Sequence, residues 1–417
     1  MPVAIPARIA EFRANLRAGL IDGEHTPNRA DAVATNNNPR KQMTIETTHV
    51  GSLPRGEKLS ALLLAKDHGE AYDRDEFEAV VQAAINDAVR HQRAAGVSIV
   101  SDGELGKVGY STYMQERLSG FGGHIDRKPA QDLAEHPDLA RKLSAIMGKQ
   151  EFTRASCIGE VKLVDLQPAL EDIRRFKAAL AKEGEGTRAF MNAASPGLIT
   201  AFQVNRYYPS HEAYLEALVA AMRPEYEAIL DAGLDIQFDC PDLAMSAHTG
   251  YQDASEEEFL KIAAANVEAL NAATEGLPKE RMRMHLCWGN YEGPHDHDIA
   301  LEKVIDIVLA ARPSTILFEG ANPCHEHEWI VWRDTAIPDD KILAPGVIDT
   351  CSNYVEHPEL IAQRLQHFID IVGMDRVIAS TDCGFGTFAG YGKIDPDVTW
   401  KKLKNLRRGA DLAASRN

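Results

Sequence analysis

The residues best suited to chemistry in this sequence are four metal-binding side chains that end or follow three apolar runs. His285 and Cys287 are two residues apart on one run, so both side chains point to the same face of a strand. Glu319 ends the next run, and Cys383 follows the last one. Together they offer one nitrogen, one oxygen and two sulfur donors, a set that suits tetrahedral zinc. A His-x-Cys pair alone is more often buried inside a strand, but four donors at three strand ends favour a metal site.

The charge of such a site indicates which reaction it would support. Zinc carries two positive charges, whereas two thiolates and a carboxylate carry three negative ones, so the site would be −1. A zinc ion with such anionic ligands is a weak Lewis acid for activating water. Hydrolytic zinc sites, by contrast, have mainly neutral ligands. It is better suited to holding a substrate thiol as a nucleophilic thiolate. The donor set therefore predicts transfer of a group to a thiol.

Eight short apolar or β-branched runs must position these residues, and long helical patterns separate them. The runs cover residues 47–52, 97–101, 189–194, 235–239, 282–287, 315–319, 342–348 and 376–381. The helical patterns include residues 74–95, 211–232, 255–274, 298–311 and 358–372. Apolar strands alternating with helices predict parallel β/α units. Eight units predict an α/β fold with a single (β/α)8 TIM barrel, with insertions in the first βα loops at 53–72 and 106–187. A doubly wound open sheet is the alternative, weakened because no glycine-rich phosphate loop follows the first run.

The first 43 residues differ from the rest of the chain. An amphipathic pattern over residues 9–20 is followed by a polar stretch that ends at 36–41. This composition predicts an N-terminal arm or linker over residues 1–43 and a barrel over residues 44–417.

Composition limits the partners and the compartment. The chain has 45 Lys and Arg against 62 Asp and Glu, a formal charge of −17 that disfavours nucleic acid and anionic membranes. It has neither an apolar run of about 18 residues nor a secretory signal at its start. Six cysteines are too few for a disulfide framework in a chain of this length. We therefore expect a cytoplasmic enzyme that acts on small molecules, with a homo-oligomer left open.

Three more polar residues stand where a barrel places catalytic groups, at the carboxyl ends of strands. Ser52 ends the first run, Glu104 follows the second, and Asp239 ends the fourth. Ser52 beside Gly51 is explained better by a tight turn when these residues are considered alone. Glu104 and Asp239 are explained as well by helix capping or salt bridges, so functional and structural roles are about equally supported.

These motifs together resemble the C-terminal catalytic barrel of cobalamin-independent methionine synthase, in a superfamily that includes uroporphyrinogen decarboxylase. The matching segments are THVGSLPR (48–55), SDGE (101–104), IQFDCP (236–241), HLC (285–287), LFEG (317–320), PGVID (345–349) and TDCGFGT (381–387). The resemblance implies that the four donors bind zinc, which activates homocysteine for methylation by methyltetrahydrofolate. It also implies that Ser52, Glu104 and Asp239 contact the homocysteine backbone, since two carboxylates suit its ammonium and the N–H and hydroxyl of serine suit its carboxylate.

The chain departs from that family in three places. The full-length family has a further N-terminal barrel, whereas here only 43 residues precede the matching part. The family's catalytic histidine after the seventh strand is replaced by a segment in which Asp349 and Cys351 are the catalytic candidates. The tryptophan expected to stack on folate corresponds by offset to Phe202. Short relatives resemble both core methionine synthases, which take methyl from a corrinoid, and epoxyalkane:coenzyme M transferases.

The function predicted is therefore zinc-dependent transfer of a methyl or alkyl group to a thiol held as a zinc thiolate. Homocysteine is favoured because two carboxylates would hold its ammonium, whereas coenzyme M offers a sulfonate and no amine. Methyltetrahydrofolate, a corrinoid and an epoxide all stay open as donors. Coenzyme M transferase-type epoxide opening is the main alternative. A metal-free decarboxylase-like enzyme or a non-catalytic binding protein is a further one.

Two other histidine-rich patches compete for metal, HDHD at residues 295–298 and HEHE at residues 325–328. Both precede predicted helices and carry acids where helix N-termini favour them. Solvated loops and helix caps are therefore the expected explanation for both patches.

Overall fold

Eight parallel strands form the frame of the molecule. The computed structural model describes residues 44–123, 125, 128–147, 155–392 and 394–417. The strands are β1 (Glu46–Thr47), β2 (Ile99–Ser101), β3 (Arg188–Ala194), β4 (Asp235–Asp239), β5 (Met282–His285), β6 (Thr315–Phe318), β7 (Ile342–Pro345) and β8 (Ile378–Ala379). Each predicted run after the first contains all or most of one of these strands, and the first run overlaps β1 at Thr47.

The strands follow one another around the sheet in chain order. β2 to β7 form one six-stranded parallel sheet, and β1 pairs in parallel with β8. Single parallel bridges, Leu343 with Val377 and Gly346 with Ser380, join β7 to the residues on either side of β8. Between β1 and β2, the Ser98 N–H donates to the Thr47 carbonyl at 3.0 Å. The prediction of an α/β fold is confirmed, and the structure shows a curled parallel sheet.

Helices lie between successive strands, and several of them begin at residues whose side chains cap the backbone N–H groups. They are α1 (Glu57–Asp67), α2 (Arg74–Ala95), α3 (Gln131–Glu135), α4 (Pro137–Met147), α5 (Gln167–Glu183), α6 (Pro196–Phe202), α7 (His211–Asp231), α8 (Glu256–Ala273), α9 (Leu301–Leu309), α10 (Trp329–Asp334), α11 (Pro358–Val372) and α12 (Pro396–Arg416). Asp73 caps α2 by accepting from two backbone N–H groups, and Ser255 and Glu258 form a capping box at α8. All five predicted helices are present. α12 was not predicted, although Asp395 caps it and Pro396 is its first residue.

The second predicted insertion is wrong in its extent. Residues 106–187 do contain additional structure, including the short antiparallel pair Phe121–Gly122 and Ser156–Cys157. They also contain α5, which packs against α2 as a regular helix of the fold. Arg117 fastens this region by buried ion pairs to Asp172 on α5 (2.7 Å) and Glu225 on α7 (2.5 Å).

Residues 1–43 lie outside the described residues, so the N-terminal arm stays a prediction. Within the described ranges, none of the helices combines the length and the apolar character that crossing a membrane requires.

The interior of the curled sheet is mixed rather than apolar. Phe190 and other apolar side chains fill part of it. The Arg283 guanidinium lies 3.8 Å from the centre of the Phe190 ring and donates to the Thr48 hydroxyl at 3.0 Å. His49 is fully buried there, and its Nε2 bonds to Gln92 Oε1 at 2.7 Å.

The buried imidazole predicts loss of stability in acid. Burial, against the hydrogen bond to Gln92, lowers the pKa of His49 from 6.5 to about 4. The unfolded chain takes up this proton near pH 6.5 and the folded chain only near pH 4, so stability falls as the pH drops through that interval. The contribution is about 3 kcal/mol between pH 7 and pH 4.

We expect His49→Gln to flatten the free energy of unfolding over this pH range by about that amount, measured by urea denaturation at each pH. The exposed His136→Gln is the control and should keep the parent slope. Equal slopes for parent and His49→Gln would contradict the prediction.

Candidate metal centre

The four predicted donors converge at the carboxyl ends of β5, β6 and β8. His285 is the last residue of β5, and Glu319 directly follows β6. Pairing continues past the end of β5, since the Leu286 N–H donates to the Leu317 carbonyl at 2.9 Å, and Cys287 follows on the same side as His285. Parallel strands therefore deliver these donors to one edge of the sheet, where the loop after β8 brings Cys383.

The distances between the donor atoms are those of a single cluster. The Sγ atoms of Cys287 and Cys383 are 3.2 Å apart. Cys383 Sγ lies 3.9 Å from His285 Nε2 and 3.8 Å from Glu319 Oε1. All four side chains are buried. Two sulfurs on one tetrahedral zinc would be about 3.8 Å apart for Zn–S bonds of about 2.3 Å, so the group fits such a metal after a small separation of the sulfurs.

The protonation of the thiols supports the same conclusion. The neighbouring Cys287 thiol, together with burial, raises the pKa of Cys383 well above its ordinary value. Two buried thiols in contact with a carboxylate therefore keep their protons unless a cation replaces them. A divalent metal does so, because coordination deprotonates a thiol outright.

Two residues that the sequence analysis missed hold Glu319 in place. Asn322 Nδ2 donates to Glu319 Oε2 at 2.7 Å, and the Trp288 backbone N–H donates to Glu319 Oε1 at 2.7 Å. Asp382 accepts from the backbone N–H groups of Gly320, Ala321 and Asn322, each at 2.9 Å. Asp382 stands next to Cys383 in the sequence, but nothing in the sequence pointed to the turn it binds.

A pocket opens beside the donor cluster and contains the other predicted substrate contacts. Its empty space, including the part open to solvent, is about 450 Å³. Its lining comprises Val50, Ser52, Glu104, Tyr110, Asp239, Pro241, Met245, His285, Cys287, Asn290, Cys383, Gly384 and Thr387. The structure thus brings the three predicted substrate contacts to the same cavity as three of the four donors.

The two pocket carboxylates differ in how they are satisfied. Asp239 accepts from Asn192 Nδ2 at 3.2 and 3.3 Å and lies 3.7 Å from His285 Nδ1. Glu104 has a left-handed backbone, with φ +55°, and among the described residues its Oε2 has no hydrogen-bond partner. Burial and the negative charge of Asp239 raise the pKa of Glu104. This carboxyl is therefore available to a cationic group that enters the pocket.

The predicted catalytic pair lies behind the pocket wall. In the part of the chain that the structure describes, the lining includes neither Asp349 nor Cys351. Cys351 Sγ lies 3.3 Å from Oδ1 of the lining residue Asn290, whose Nδ2 donates to Thr387 at 2.9 Å. The Asp349 carboxylate accepts from the Cys351 N–H at 2.7 Å and so shapes its own loop.

Phe202 is buried at the end of α6 and does not line the pocket. It packs edge-on against Tyr110, with ring centres 5.4 Å apart, and Tyr110 is the aromatic residue at the pocket surface. The sequence analysis did not single out Tyr110 or Asn290.

The expectation of solvated loops is wrong for three residues of the two histidine-rich patches, although Asp296, Glu326 and His327 are exposed. His295, Asp298 and His325 are not solvated, since at most 9% of each side chain is exposed. They meet one another, so a contact between the two patches replaces the separate loops that were expected.

The comparisons with known proteins agree with this geometry. A family model described as the catalytic domain of cobalamin-independent synthase matches residues 193–410, more than half of the chain. The chain belongs to this family. Among curated relatives, it is 24% identical to a methionine synthase of Thermococcus kodakarensis over 371 residues, 88% of this chain and 93% of that protein. A methionine synthase of Sulfurisphaera tokodaii is also 24% identical, covering 88% of this chain and 92% of the relative.

A solved structure shares the fold of this cobalamin-independent synthase domain. It is a B12-independent methionine synthase from Shewanella sp. W3-18-1 in complex with selenomethionine. The TM-score is 0.67 at 20% identity, and the match covers 90% of this chain and 99% of the other.

The loops after β1 and β8 approach each other closely beside the donor cluster, and this contact yields a prediction about packing. A Cβ added to Gly384 would lie 1.9 Å from Ser52 Oγ and 3.1 Å from Ser52 Cβ. We expect Gly384→Ala to lower the free energy of unfolding by about 1–3 kcal/mol, because the loops after β1 and β8 must separate. Urea denaturation measures the change.

Gly56→Ala is the matched control, because a Cβ there meets nothing within 4 Å; its effect should stay within about 0.5 kcal/mol. Adding Ser52→Gly to Gly384→Ala should restore part of the lost stability, which a double-mutant cycle detects. A Gly384→Ala protein as stable as the parent would show that the loops are not in contact.

Proposed function

We propose that this protein is a zinc-dependent transferase that moves a methyl group to a thiol, with homocysteine as the acceptor. The observation that carries the proposal is the convergence of His285, Cys287 and Cys383 on one wall of the pocket, with Glu319 directly behind them at 3.8 Å from Cys383 Sγ. The relatives called methionine synthase support the same reaction. We also propose that the strands close into one (β/α)8 barrel, supported by the single bridges between β7 and β8 and the hydrogen bond between β1 and β2.

The four donors would hold the zinc, and their negative charge determines which chemistry the zinc supports. Zinc bound by two thiolates and a carboxylate would keep the acceptor sulfur deprotonated and nucleophilic. The protein orients the donors through hydrogen bonds to groups outside the cluster, as metal sites require. Asn322 and the Trp288 N–H fix the Glu319 carboxylate.

The pocket carboxylates would bind the amino group of the acceptor. Glu104 and Asp239 line the same cavity, and Glu104 Oε2 has no hydrogen-bond partner among the described residues. An ammonium between them would replace the proton that the raised pKa of Glu104 favours. The Ser52 hydroxyl, on the loop after β1, suits the acceptor carboxylate.

In the transfer step, the acceptor sulfur attacks the methyl carbon, and the bond between that carbon and the donor breaks. The electron pair remains with the donor. We propose that Cys351, next to Asn290 at the pocket wall, supplies a proton when the departing donor requires one, and that Asp349 positions the loop. Methyltetrahydrofolate and a corrinoid both remain candidates for the donor.

The metal centre predicts a spectroscopic result. Cobalt(II) added to the metal-free protein should produce sulfur-to-cobalt charge-transfer absorption, because two thiolates would bind the ion. Cys287→Ser and Cys383→Ser should each reduce this absorption strongly. Homocysteine should increase it in the parent by adding a third sulfur.

Cys157→Ser is the control, since this buried cysteine lies in the antiparallel pair of the insertion. It should keep the parent spectrum. If the parent shows no thiolate absorption with cobalt, or if Cys287→Ser keeps it in full, the metal centre is excluded.

The acceptor pocket predicts a loss of affinity on charge removal. Glu104→Gln and Asp239→Asn should each weaken homocysteine binding by about 2–3 kcal/mol, or roughly 30- to 150-fold in Kd, because a desolvated ammonium loses a charged partner. Titration calorimetry with the zinc-loaded protein measures the change. Asp242→Asn is the control, because this neighbouring buried carboxyl bonds to Ser195 and Asn266 and does not line the pocket.

Coenzyme M serves as the competing ligand in the same experiment. If coenzyme M binds more tightly than homocysteine, the proposed function changes from methyl transfer to epoxide opening. Mass spectrometry of reactions with homocysteine and methyltetrahydrofolate or a methylated corrinoid, and with coenzyme M and an epoxide, then identifies the donor.

A further inference from the structure

A second group of metal-binding side chains lies among the loops that follow β4, β5 and β6. His248 comes from the first loop, His295 and Asp298 from the second, and His325 from the third. The exposed fraction of the side chain is 1% for His248, 4% for His325 and 7% for Asp298. Three imidazoles and one carboxylate are thus enclosed together, and none of them belongs to the thiolate cluster.

All three histidines turn one nitrogen toward the same carboxylate. His295 Nδ1 and His325 Nε2 lie 2.8 and 3.0 Å from Asp298 Oδ2, and His248 Nδ1 lies 3.1 Å from Asp298 Oδ1. Donors bound at right angles to one ion by bonds of about 2.1 Å are themselves about 3 Å apart. Each of the three separations from Asp298 therefore has the length of one edge of a coordination polyhedron, and His295, Asp298 and His325 form one compact donor group.

The other nitrogen of each imidazole contacts an oxygen atom outside the group. His325 Nδ1 bonds to Glu328 Oε2 at 2.9 Å, His295 Nε2 to the Tyr291 carbonyl at 3.0 Å, and His248 Nε2 to the Tyr291 hydroxyl at 3.3 Å. Metal-binding histidines almost always donate their second N–H to a carboxylate, a carbonyl or a water. A cation bound by the inward nitrogens would replace the hydrogen bonds that His295 and His325 make to Asp298.

Two inward atoms also lack the hydrogen bonds that burial normally requires. His248 Nδ1 and Asp298 Oδ1 are both buried, and neither has a hydrogen-bond partner among the described residues, although they lie 3.1 Å apart. Orphaned buried polar atoms are costly and call for an explanation. A cation bound by both atoms provides one.

We propose that His248, His295, His325 and Asp298 form a second metal site, for a divalent transition ion of the zinc, nickel or iron(II) class. Imidazole nitrogen suits these ions, and the set contains no sulfur, which distinguishes it from the thiolate centre. The ion would tie three loops together.

This position connects the second site to the first. The Trp288 ring stands 4.3 Å from the His325 ring, and the Trp288 backbone N–H donates to Glu319 Oε1. An ion at the second site would therefore fix the residue that orients Glu319.

The rival arrangement is an ion-pair cluster without metal. Burial lowers the pKa of His325, but hydrogen bonds to Asp298 and Glu328 raise it to about 11.

The experiment first removes the thiolate centre by combining Cys287→Ser with Cys383→Ser. Cobalt(II) is then titrated into this metal-free protein. We expect one equivalent to bind, with ligand-field absorption and without sulfur-to-cobalt charge transfer. Adding His295→Ala or Asp298→Ala should abolish this binding.

His297→Ala and His327→Ala are matched controls from the same two patches. His297 Nε2 bonds to Glu135 at 3.0 Å and His327 is exposed, so both variants should still bind the equivalent. If the double-serine protein binds no cobalt, or if His295→Ala and Asp298→Ala still bind it, the site is excluded.

A measurement on the unsubstituted protein guards against variants that fail to fold. After reconstitution with zinc and removal of excess metal, we expect two equivalents per chain by elemental analysis. If the protein instead holds one equivalent of zinc and loses it on Cys287→Ser, the three histidines and Asp298 form an ion-pair cluster without metal. His295→Ala in the chain with intact cysteines should keep the cobalt–thiolate absorption while the metal content falls from two to one.

Discussion

Two thiols that are 96 residues apart in the chain lie 3.2 Å from each other, and this contact depends on the parallel arrangement of the strands. β5, β6 and β8 all run in one direction, so their carboxyl ends meet at one edge of the curled sheet. Each strand needs to contribute only one or two donors for a four-donor cluster to form there. The large separation in sequence has no cost once the sheet has formed, because the hydrogen bonds of the sheet already hold the backbone.

Buried aspartates then hold the loops around that edge. Asp382 accepts three backbone N–H groups of the turn after β6 and so fixes the residues next to Glu319. Asp298 gathers three imidazoles from the loops after β4, β5 and β6. Asp382 does so through backbone hydrogen bonds, and Asp298 does so through hydrogen bonds to His295 and His325.

The site concentrates negative charge in a buried region, which makes cations energetically favourable there. Burial and the charge of Glu319 raise the pKa of Asp382, and burial and the charge of Asp239 raise the pKa of Glu104. Near Glu104, burial and Asp239 outweigh the opposing charges of Lys107 and Arg55, so this carboxyl favours its protonated form. A divalent metal at the thiols and an ammonium in the pocket would each relieve this repulsion, so the two proposed ligands correspond to the two places where charge is least compensated.

The sequence by itself determined the donors His285, Cys287, Glu319 and Cys383, the alternation of strands and helices, and the resemblance to cobalamin-independent synthases. These features are readable because strand and helix periods are local and because the edge of a parallel sheet is common to all its strands. Only the tertiary structure decided that α5 belongs to the regular fold, that Tyr110 rather than Phe202 lines the pocket, and that two histidine patches meet at Asp298. Those contacts are made by loops, whose conformations have no period and depend on neighbours from distant parts of the chain.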